Sequence, residues 1–336
     1  MKVLLSSYLF DPSVGGLESV SKILAQRFSA AGEETHVITQ SPGLPISGEN
    51  YRLTRRPSIL EIFRLLQQCD LFFQNNVSLR SLVPALLLNK KTLVVHQTWL
   101  RDTRGRVTWH NRLKRALLLR VTNVAISKAI ADQISGHSFV IGNPYDETVF
   151  SRMSNVVRDK TLIFVGRLVS DKGVDLLLRA LKLLRDEGSL PDLTIIGSGP
   201  EETNLQKLAG DLELNRQVTF AGQKSGTTLA EILNQHRILV VPSRWAEPFG
   251  VVALEGIACG CVVVGSEQGG LKEAIGPCGV TFENGNASQL AAQIKRLLSD
   301  PQKCASLSAR APQHLAQFQS DAITAAYLRL MRKVVA

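Results

Sequence analysis

The sequence contains no apolar run that approaches the roughly 18 residues of a membrane-crossing helix. Its longest, such as SLVPALLL and ILVV, are the size of core elements, so no membrane span is expected. The chain opens MKVLLSSYLFD, a short apolar stretch interrupted by two serines. That pattern reads as a first β-strand rather than a secretory leader. There are only five cysteines, Cys69, Cys259, Cys261, Cys278 and Cys304. An odd count without C-x-x-C spacing excludes a disulfide framework and a zinc site, and is expected of free thiols buried in a reducing cytosol. Cys259-Gly260-Cys261 reads as a small-residue turn rather than a redox pair. Also missing are a complete G-x-G-x-x-G, a G-x-x-x-x-G-K-[ST] and a G-x-S-x-G, which speaks against a dinucleotide site, a P-loop and a serine-hydrolase elbow. There is no Asp-x-Asp pair, and the histidines at 36, 110, 137, 236 and 314 show no ligand-like grouping. No metal or cofactor is expected. No nucleic-acid recognition module is visible either.

What is present is an ordinary globular composition, 44% hydrophobic and 20% charged. At 336 residues the chain exceeds what one core usually serves, so two domains are expected. The net charge of +10 is uneven. Residues 1–153 hold 19 Lys and Arg against 11 Asp and Glu, a net +8, and residues 154–336 hold 20 against 18, a net +2. An anionic partner for the first half follows. Short apolar strands (KVLLSS, THVITQ, DLFFQ, TLVVHQ, TNVAIS, SFVIG, then TLIFVG, DLTIIG, QVTFAG, ILVVPS, CVVVGS) alternate with amphipathic helical stretches. The pattern predicts an α/β fold of two doubly wound, Rossmann-like domains with parallel sheets. The expected division is 1–150, 151–317, and a C-terminal helix over 318–336. The last helical segments are expected at 286–299, 301–317 and 320–334, and another at 106–120.

Candidate site residues stand where strands end, the side at which open α/β sheets bind ligands. Gly15 and Gly16 precede the first helix, where backbone N–H groups and the helix terminus suit an anion. Arg167 and Lys172 follow the strand TLIFVG and form a pair of cations able to hold a diphosphate, against the plainer reading of two solvated loop charges. His96 ends another strand, as a catalytic or a structural histidine. The turn IIGSGPEE has Glu202 where a dinucleotide fingerprint carries its third glycine. Glu247 and Glu255 bracket EPFGVVALE, one in a strand-end loop and one in the first turns of a helix.

Taken in order, SVGGLE, VVHQTW, GNPYDETVF, FVGRLVSDKG, IIGSGP, VTFAG, VVPSRWAEPFG with a second Glu eight positions after Glu247, and GGLKE resemble glycosyltransferase family four. The resemblance runs over nearly the whole chain and is densest from Leu162 to Glu273. It implies the GT-B fold, with two Rossmann-like domains facing across a cleft, a nucleotide sugar between them, and the C-terminal helix returning to the first domain. It implies a retaining, metal-independent hexosyltransferase that moves a sugar from a nucleoside-diphosphate sugar to an acceptor hydroxyl, in glycolipid or cell-surface polysaccharide synthesis. By that resemblance Arg167 and Lys172 hold the diphosphate and Glu255 the ribose hydroxyls. Glu247 and His96 face the transferred sugar. Phe249, Gly250 and Val251 bring backbone N–H groups to sugar and phosphate. The acceptor oxygen attacks on the face the leaving group departs from, and a donor phosphate oxygen takes its proton. Departures are Gln97 where an Asp is common, Asn143-Pro144-Tyr145-Asp146 for Asn-Gly-Val-Asp, Cys261 for Pro, and a lone aromatic, Phe318, before the last helix. A non-catalytic nucleotide-sugar-binding or scaffold subunit, for which Gln97 is the one hint, and a sugar-nucleotide epimerase or hydrolase, are the alternatives.

Residues 99–120, WLRDTRGRVTWHNRLKRALLLR, carry seven basic residues, one acidic residue and two tryptophans. As a helix the stretch puts Leu113, Leu117 and Val121 on one face and Arg112, Lys114 and Arg115 off it. It reads either as an ordinary surface helix or as a patch for an anionic membrane or a lipid-linked acceptor. The second reading places the protein in the cytoplasm, peripheral to the inner membrane.

Overall fold

The alternation of strand and helix resolves, in a computed structural model, into two parallel sheets, one of seven strands and one of six. The structure describes residues 1–11, 15–43, 48–100 and 109–336, with 109 and 110 by backbone alone. Chain contacts divide it into two units. One is Met1–Pro144 with Gln319–Ala336, the other Tyr145–Phe318.

The first unit runs β1 (Lys2–Ser7), α1 (Gly16–Ala30), β2 (Glu34–Thr39), β3 (Arg52–Arg55), α2 (Ile59–Gln68), β4 (Leu71–Asn75), α3 (Leu79–Leu87), β5 (Thr92–His96), α4 (Trp109–Leu118), β6 (Thr122–Ala125), α5 (Lys128–Ala131) and β7 (Ser138–Val140). The second runs β8 (Lys160–Val165), a 3₁₀ turn Ser170–Lys172, α6 (Val174–Asp186), β9 (Leu193–Ile196), α7 (Glu202–Asp211), β10 (Val218–Phe220), α8 (Gly226–Gln235), β11 (His236–Val241), α9 (Val251–Ala258), β12 (Val262–Ser266), α10 (Leu271–Ile275), β13 (Gly279–Phe282), α11 (Ala287–Ser299), α12 (Pro301–Ser308) and α13 (Ala311–Ala316). The last helix, α14 (Ser320–Val335), belongs to the first unit.

The sheets are ordered β3-β2-β1-β4-β5-β6-β7 and β10-β9-β8-β11-β12-β13. Each is a doubly wound sheet whose strand order reverses once, at β1/β4 and at β8/β11. Central strands are apolar on both faces because helices cover both. In β4 and β5 every residue is buried. Ser58 caps α2 by accepting from the Glu61 N–H, the first half of a capping box. α14 is bound to the first unit by aromatic packing. Tyr327 is fully buried, with its ring centroid 5.3 Å from Phe73 and 6.3 Å from Phe28.

Three local expectations are corrected. β3 and β13 lay outside the expected strands, because both are edge strands without a continuous apolar run. The stretch 301–317 is two helices, with Pro312 in the first turn of α13. A proline there lacks the N–H that a continuous helix would need. Finally, α4 is anchored by Leu118, which packs with Leu82 and Val94 and with partly buried Leu117 and Val121. Leu113, expected on that anchoring face, is 41% exposed. Among the described side chains of the helix, the leucines packed in the core are Leu117 and Leu118, in its last turn.

Candidate active site

In an open α/β sheet, a ligand crevice forms at the carboxyl ends of strands where the order reverses. In the second unit that point is β8/β11. The loop after β8 carries Arg167, then the turn Ser170–Lys172, then Gly173. The Gly173 backbone is left-handed, with φ at 68°. A Cβ there would stand 2.0 Å from the Pro242 carbonyl oxygen, so only glycine lets the two strand-end loops close on each other. The Arg244 N–H then donates to the Asp171 carbonyl at 2.8 Å. The closure sets Lys172 Nζ 2.6 Å from Glu247 Oε1. Ser243 Oγ donates to the same oxygen at 2.5 Å. Glu247 and Ser243 are buried, Lys172 is half-buried and Arg167 is exposed. Among the described residues no ion pair or side-chain hydrogen bond engages Arg167.

Glu247 is also held through its main chain. Its carbonyl accepts from the Gly270 N–H at 2.7 Å, and it forms an isolated bridge with Gly269. Gly269 is left-handed, at φ 81°, and any side chain there would meet the Glu247 carbonyl. Asn284 supports the loop from below. Its amide donates to the Ser243 carbonyl at 3.0 Å and its oxygen accepts from the Gln268 N–H at 3.0 Å. Beyond Pro248, the Phe249 ring is buried edge-on against Phe318, with centroids 5.6 Å apart. Its side chain therefore fixes the turn, and only its backbone is left to face a ligand. Gly250 caps α9, Val251 is the first helical residue, and Glu255 follows one turn later on the same side. The first N–H groups of such a helix lack intrahelical partners and favour an anion.

Glu255 sits among protein atoms with a partly open surface. Burial, and then the Asp146 carboxylate, raise its pKa to about 7. Asp146 itself is tied into a turn by accepting from the Thr148 N–H and hydroxyl. Nearby, burial pushes the Cys259 and Cys261 thiols up to about 12 and about 11. Neither is a reactive thiolate, and the segment is a packing turn.

In the first unit, Gly15 is extended and Gly16 opens α1 with free space around it. His96 is the last residue of β5 and is completely buried. Its Nε2 lies 2.9 Å from Asn123 Oδ1. Burial lowers its pKa, so the ring is neutral at neutral pH. Gln97, the departure that hinted at lost function, forms a reciprocal amide pair with Asn143, at 2.9 and 2.8 Å. Its Nε2 also donates to Asn75 Oδ1 at 2.9 Å, and Asn75 donates to Ser21 Oγ at 2.7 Å. Gln97 and Asn143 thus explain each other, because an amide supplies both a donor and an acceptor, and a carboxylate at 97 would lack the donor. Arg112 is exposed on α4, with Lys114 and Arg115 half-buried. Residues 101–108 of the basic stretch lie outside the described residues.

Arg167, Lys172, Glu247, Phe249, Gly250, Val251 and Glu255 all stand on the second unit's carboxyl-end loops and the helix they enter. Gly15, Gly16 and His96 stand on the same side of the first unit's sheet. Ser243, Asn284, Asn123 and Gly269 were not singled out from the sequence. Ser243 had a local signal, four residues before Glu247 in VVPSRWAEPFG. Gly269 stood in the quoted motif GGLKE without a role, and Asn284 and Asn123 act across 16 to 41 residues of chain and leave no short-range pattern. Among the described residues, no group of three His, Cys, Asp or Glu is placed to hold a metal ion.

The Glu255 shift makes a prediction about stability. A carboxyl whose pKa is raised by folding binds its proton more tightly in the folded chain. Stability therefore falls as pH rises from the ordinary carboxylate range through about 7, and the deficit is complete above that. Glu255→Gln removes the charge. Its melting temperature should exceed that of the unsubstituted protein at pH 8 and match it near pH 4, by scanning calorimetry. An equal difference at both pH values, or none at pH 8, would contradict the assignment.

Residues 147–314 match the family described as glycosyl transferases, group 1. An uncharacterized glycosyltransferase of Methanocaldococcus jannaschii is 36% identical over 177 residues, 52% of this chain and 45% of that protein. A D-inositol 3-phosphate glycosyltransferase of Rhodococcus opacus is 33% identical over 171 residues, 48% of this chain and 38% of that protein. The matched segments thus span less than half the length of these relatives. Among solved structures, HepE of Anabaena in complex with UDP and glucose superposes with a TM-score of 0.84 at 19% identity, covering 99% of each chain. Sucrose-phosphate synthase from Thermosynechococcus elongatus superposes with 0.83 at 22% identity, covering 99% of this chain and 98% of that one. Two Rossmann-like units, the loops meeting at the β8/β11 reversal and a family match over half its length make this chain a group 1 glycosyl transferase with the GT-B fold.

Proposed function

We propose that this protein is a retaining hexosyltransferase that transfers a sugar from a nucleoside-diphosphate sugar to a hydroxyl of a glycan or lipid-linked acceptor. The observation that carries the reading is the meeting of Lys172, Glu247 and the N-terminus of α9 at one strand-order reversal. Arg167, Lys172 and the first turn of α9 offer a diphosphate positive charge and backbone donors in a single place. As the glycosidic bond breaks, charge grows on the diphosphate, and Arg167 and Lys172 neutralise it. Glu255 accepts from the vicinal hydroxyls of the ribose, and Glu247 from hydroxyls of the transferred sugar. Glu247 Oε1 is already taken by Lys172 and Ser243, so Oε2 is the oxygen left for substrate. UDP is the first nucleotide to test, since the HepE structures contain UDP with glucose and UDP-glucose. The relatives' names include D-inositol 3-phosphate glycosyltransferase and glycogen synthase, acceptors of different kinds. The acceptor proposal rests on the basic first unit instead, with a role in glycolipid or cell-surface polysaccharide synthesis.

On this reading Arg167→Ala and Lys172→Ala each lower turnover of the donor about 10²–10³-fold, the usual cost of removing one group that stabilises developing negative charge. Arg167→Ala should keep the melting temperature, Lys172→Ala should lower it because buried Glu247 loses its ion-pair partner, and activity should survive EDTA. Near-normal rates in both variants, or an absolute need for Mg²⁺ or Mn²⁺, would remove the two cations from the role. A panel of UDP, GDP and ADP and their sugars, read by thermal shift, identifies the donor. Any of them at 100 times its Kd adds about 2.7 kcal/mol of stability.

We further propose that α4 touches an anionic membrane surface in the cytoplasm, on the inner-membrane face. No helix among the described residues is long and apolar enough to cross a membrane. α4 exposes Arg112 and 41% of Leu113, and Leu119 just beyond it is 65% exposed. Cations beside exposed leucines suit a headgroup region, where each Lys or Arg contributes about 1 kcal/mol. Co-sedimentation is expected with anionic vesicles, weaker at high salt and in Arg112→Glu/Lys114→Glu/Arg115→Glu. Binding indifferent to lipid charge, or unchanged in that variant, leaves α4 an ordinary surface helix.

A further inference from the structure

Glu247 is a nearly buried carboxylate with one oxygen occupied and one open. Its side chain is 11% exposed. Oε1 accepts from Lys172 Nζ at 2.6 Å and from Ser243 Oγ at 2.5 Å. Oε2 has no partner among the described residues and is not sealed from solvent. The two donors on Oε1 differ in kind. The Lys172 ammonium ends a flexible stem and acts as a point charge, so it attracts the carboxylate without fixing its plane. A hydroxyl bond is directional, and this one starts from a held base. Ser243 is fully buried, two residues beyond β11. Its carbonyl accepts from Asn284 Nδ2 at 3.0 Å, and Asn284 Oδ1 accepts from the Gln268 N–H at 3.0 Å. Asn284 thereby ties the loop after β11 to the loop after β12. The second of these loops also donates to the Glu247 carbonyl, through the Gly270 N–H. The hydroxyl and the Glu247 backbone are therefore fixed to one frame. What is left free is the terminal torsion of the glutamate, a broad and easily turned angle, and the hydroxyl stops it.

We infer that Ser243 is a positioning residue that sets the plane of the Glu247 carboxylate and so determines which sugar stereochemistry the open oxygen accepts. Lys172 supplies the charge and Ser243 the direction. A bound diphosphate draws on the same ammonium, so with a nucleotide sugar in place the serine is the steadier of the two holds. A sugar that lacks the matching hydroxyl, or carries it on the other side of the ring, leaves a buried carboxylate oxygen unpaired. That is the most unfavourable way to lose a hydrogen bond, and a site built around such a bond discriminates strongly. Without Ser243 the carboxylate turns to suit the altered sugar, and discrimination falls. The inference rests on the donor-sugar reading above for the identity of the hydroxyl, but not for the fixed plane.

The test is calorimetric and needs no acceptor. The unsubstituted protein, Ser243→Ala and Ser243→Thr are each titrated with UDP, with UDP-glucose or whichever nucleotide sugar gives the largest thermal shift, and with the monodeoxy analogues of that sugar nucleotide. In the unsubstituted protein the loss of one particular hydroxyl should weaken binding about tenfold or more, the worth of a hydrogen bond to a charged group. In Ser243→Ala that penalty should shrink about fivefold, with the affinity for bare UDP unchanged. Ser243→Thr keeps the hydroxyl and should keep the penalty. Asn284→Ala loosens the base of Ser243 from outside the site and should shrink the penalty in the same direction by less, which serves if a change at 243 impairs folding. Crystal structures of the unliganded variants read the plane itself. The Glu247 carboxylate should hold one orientation with Ser or Thr at 243 and turn, or split between two, in Ser243→Ala. An unmoved carboxylate in Ser243→Ala, an undiminished penalty, or equal losses of affinity for UDP and its sugar overturns the inference, the last by making Ser243 a packing residue only. If no single hydroxyl matters to the unsubstituted protein, the donor-sugar reading of Glu247 fails, and the carboxylate plane still decides whether Ser243 sets it.

Discussion

The site depends on one contact, the approach of the loop after β8 to the loop after β11. Gly173 makes it possible, because a Cβ on its left-handed backbone would stand 2.0 Å from the Pro242 carbonyl oxygen. Once the loops meet, Lys172 lies beside Glu247, and Ser243 shares the same carboxylate oxygen. Glu247 is thereby held by an ion pair, a hydroxyl and its own main chain before any ligand arrives. Preorganised charges of this kind need not rearrange as charge develops in a reaction. Lys172 has three donor hydrogens, so its pairing with Glu247 leaves two for an anionic ligand, the diphosphate in the proposed function.

The two units present different chemistry at equivalent ends of similar sheets. In the second, charged groups dominate: Arg167, Lys172, Glu247 and Glu255. In the first, the strand ends carry neutral amides and hydroxyls, Ser7, Asn75, Gln97 and Asn143, joined by hydrogen bonds to one another and to Ser21 of α1. His96 is neutral as well. Charges demand charged partners or water, whereas neutral donors and acceptors suit hydroxyl-rich ligands. Along the sequence, the positive net charge of the first half is densest in residues 99–120, with seven basic residues and one acidic.

The fold was legible in the sequence because its signals are short-range. Apolar strands of three to six residues alternate with amphipathic helices, and that rhythm specifies a doubly wound sheet. Edge strands β3 and β13 escaped because half-exposed residues blur the pattern. The helix break before α13 was announced by Pro312 and passed over. In the site, EPFG and the second glutamate stand on one loop and the helix it enters, so their spacing is visible. The supporting residues are different. Asn284 reaches Ser243 across 41 positions, and Asn123 reaches His96 across 27. Gly173 matters only because of Pro242. Such pairings are properties of the folded chain and have no local signature. Gln97 shows the reverse error, since a departure that suggested lost function is matched by Asn143.

The division of labour between Glu255 and Glu247 is the central claim about the site, and calorimetric titration with a bare nucleoside diphosphate tests it most directly. Glu255→Ala should weaken UDP binding, because the ribose loses its acceptor. Glu247→Ala should leave UDP affinity unchanged or raise it, because Lys172 is released from its partner and no sugar is present to miss the carboxylate. Equal losses of diphosphate affinity in the two variants would contradict the account.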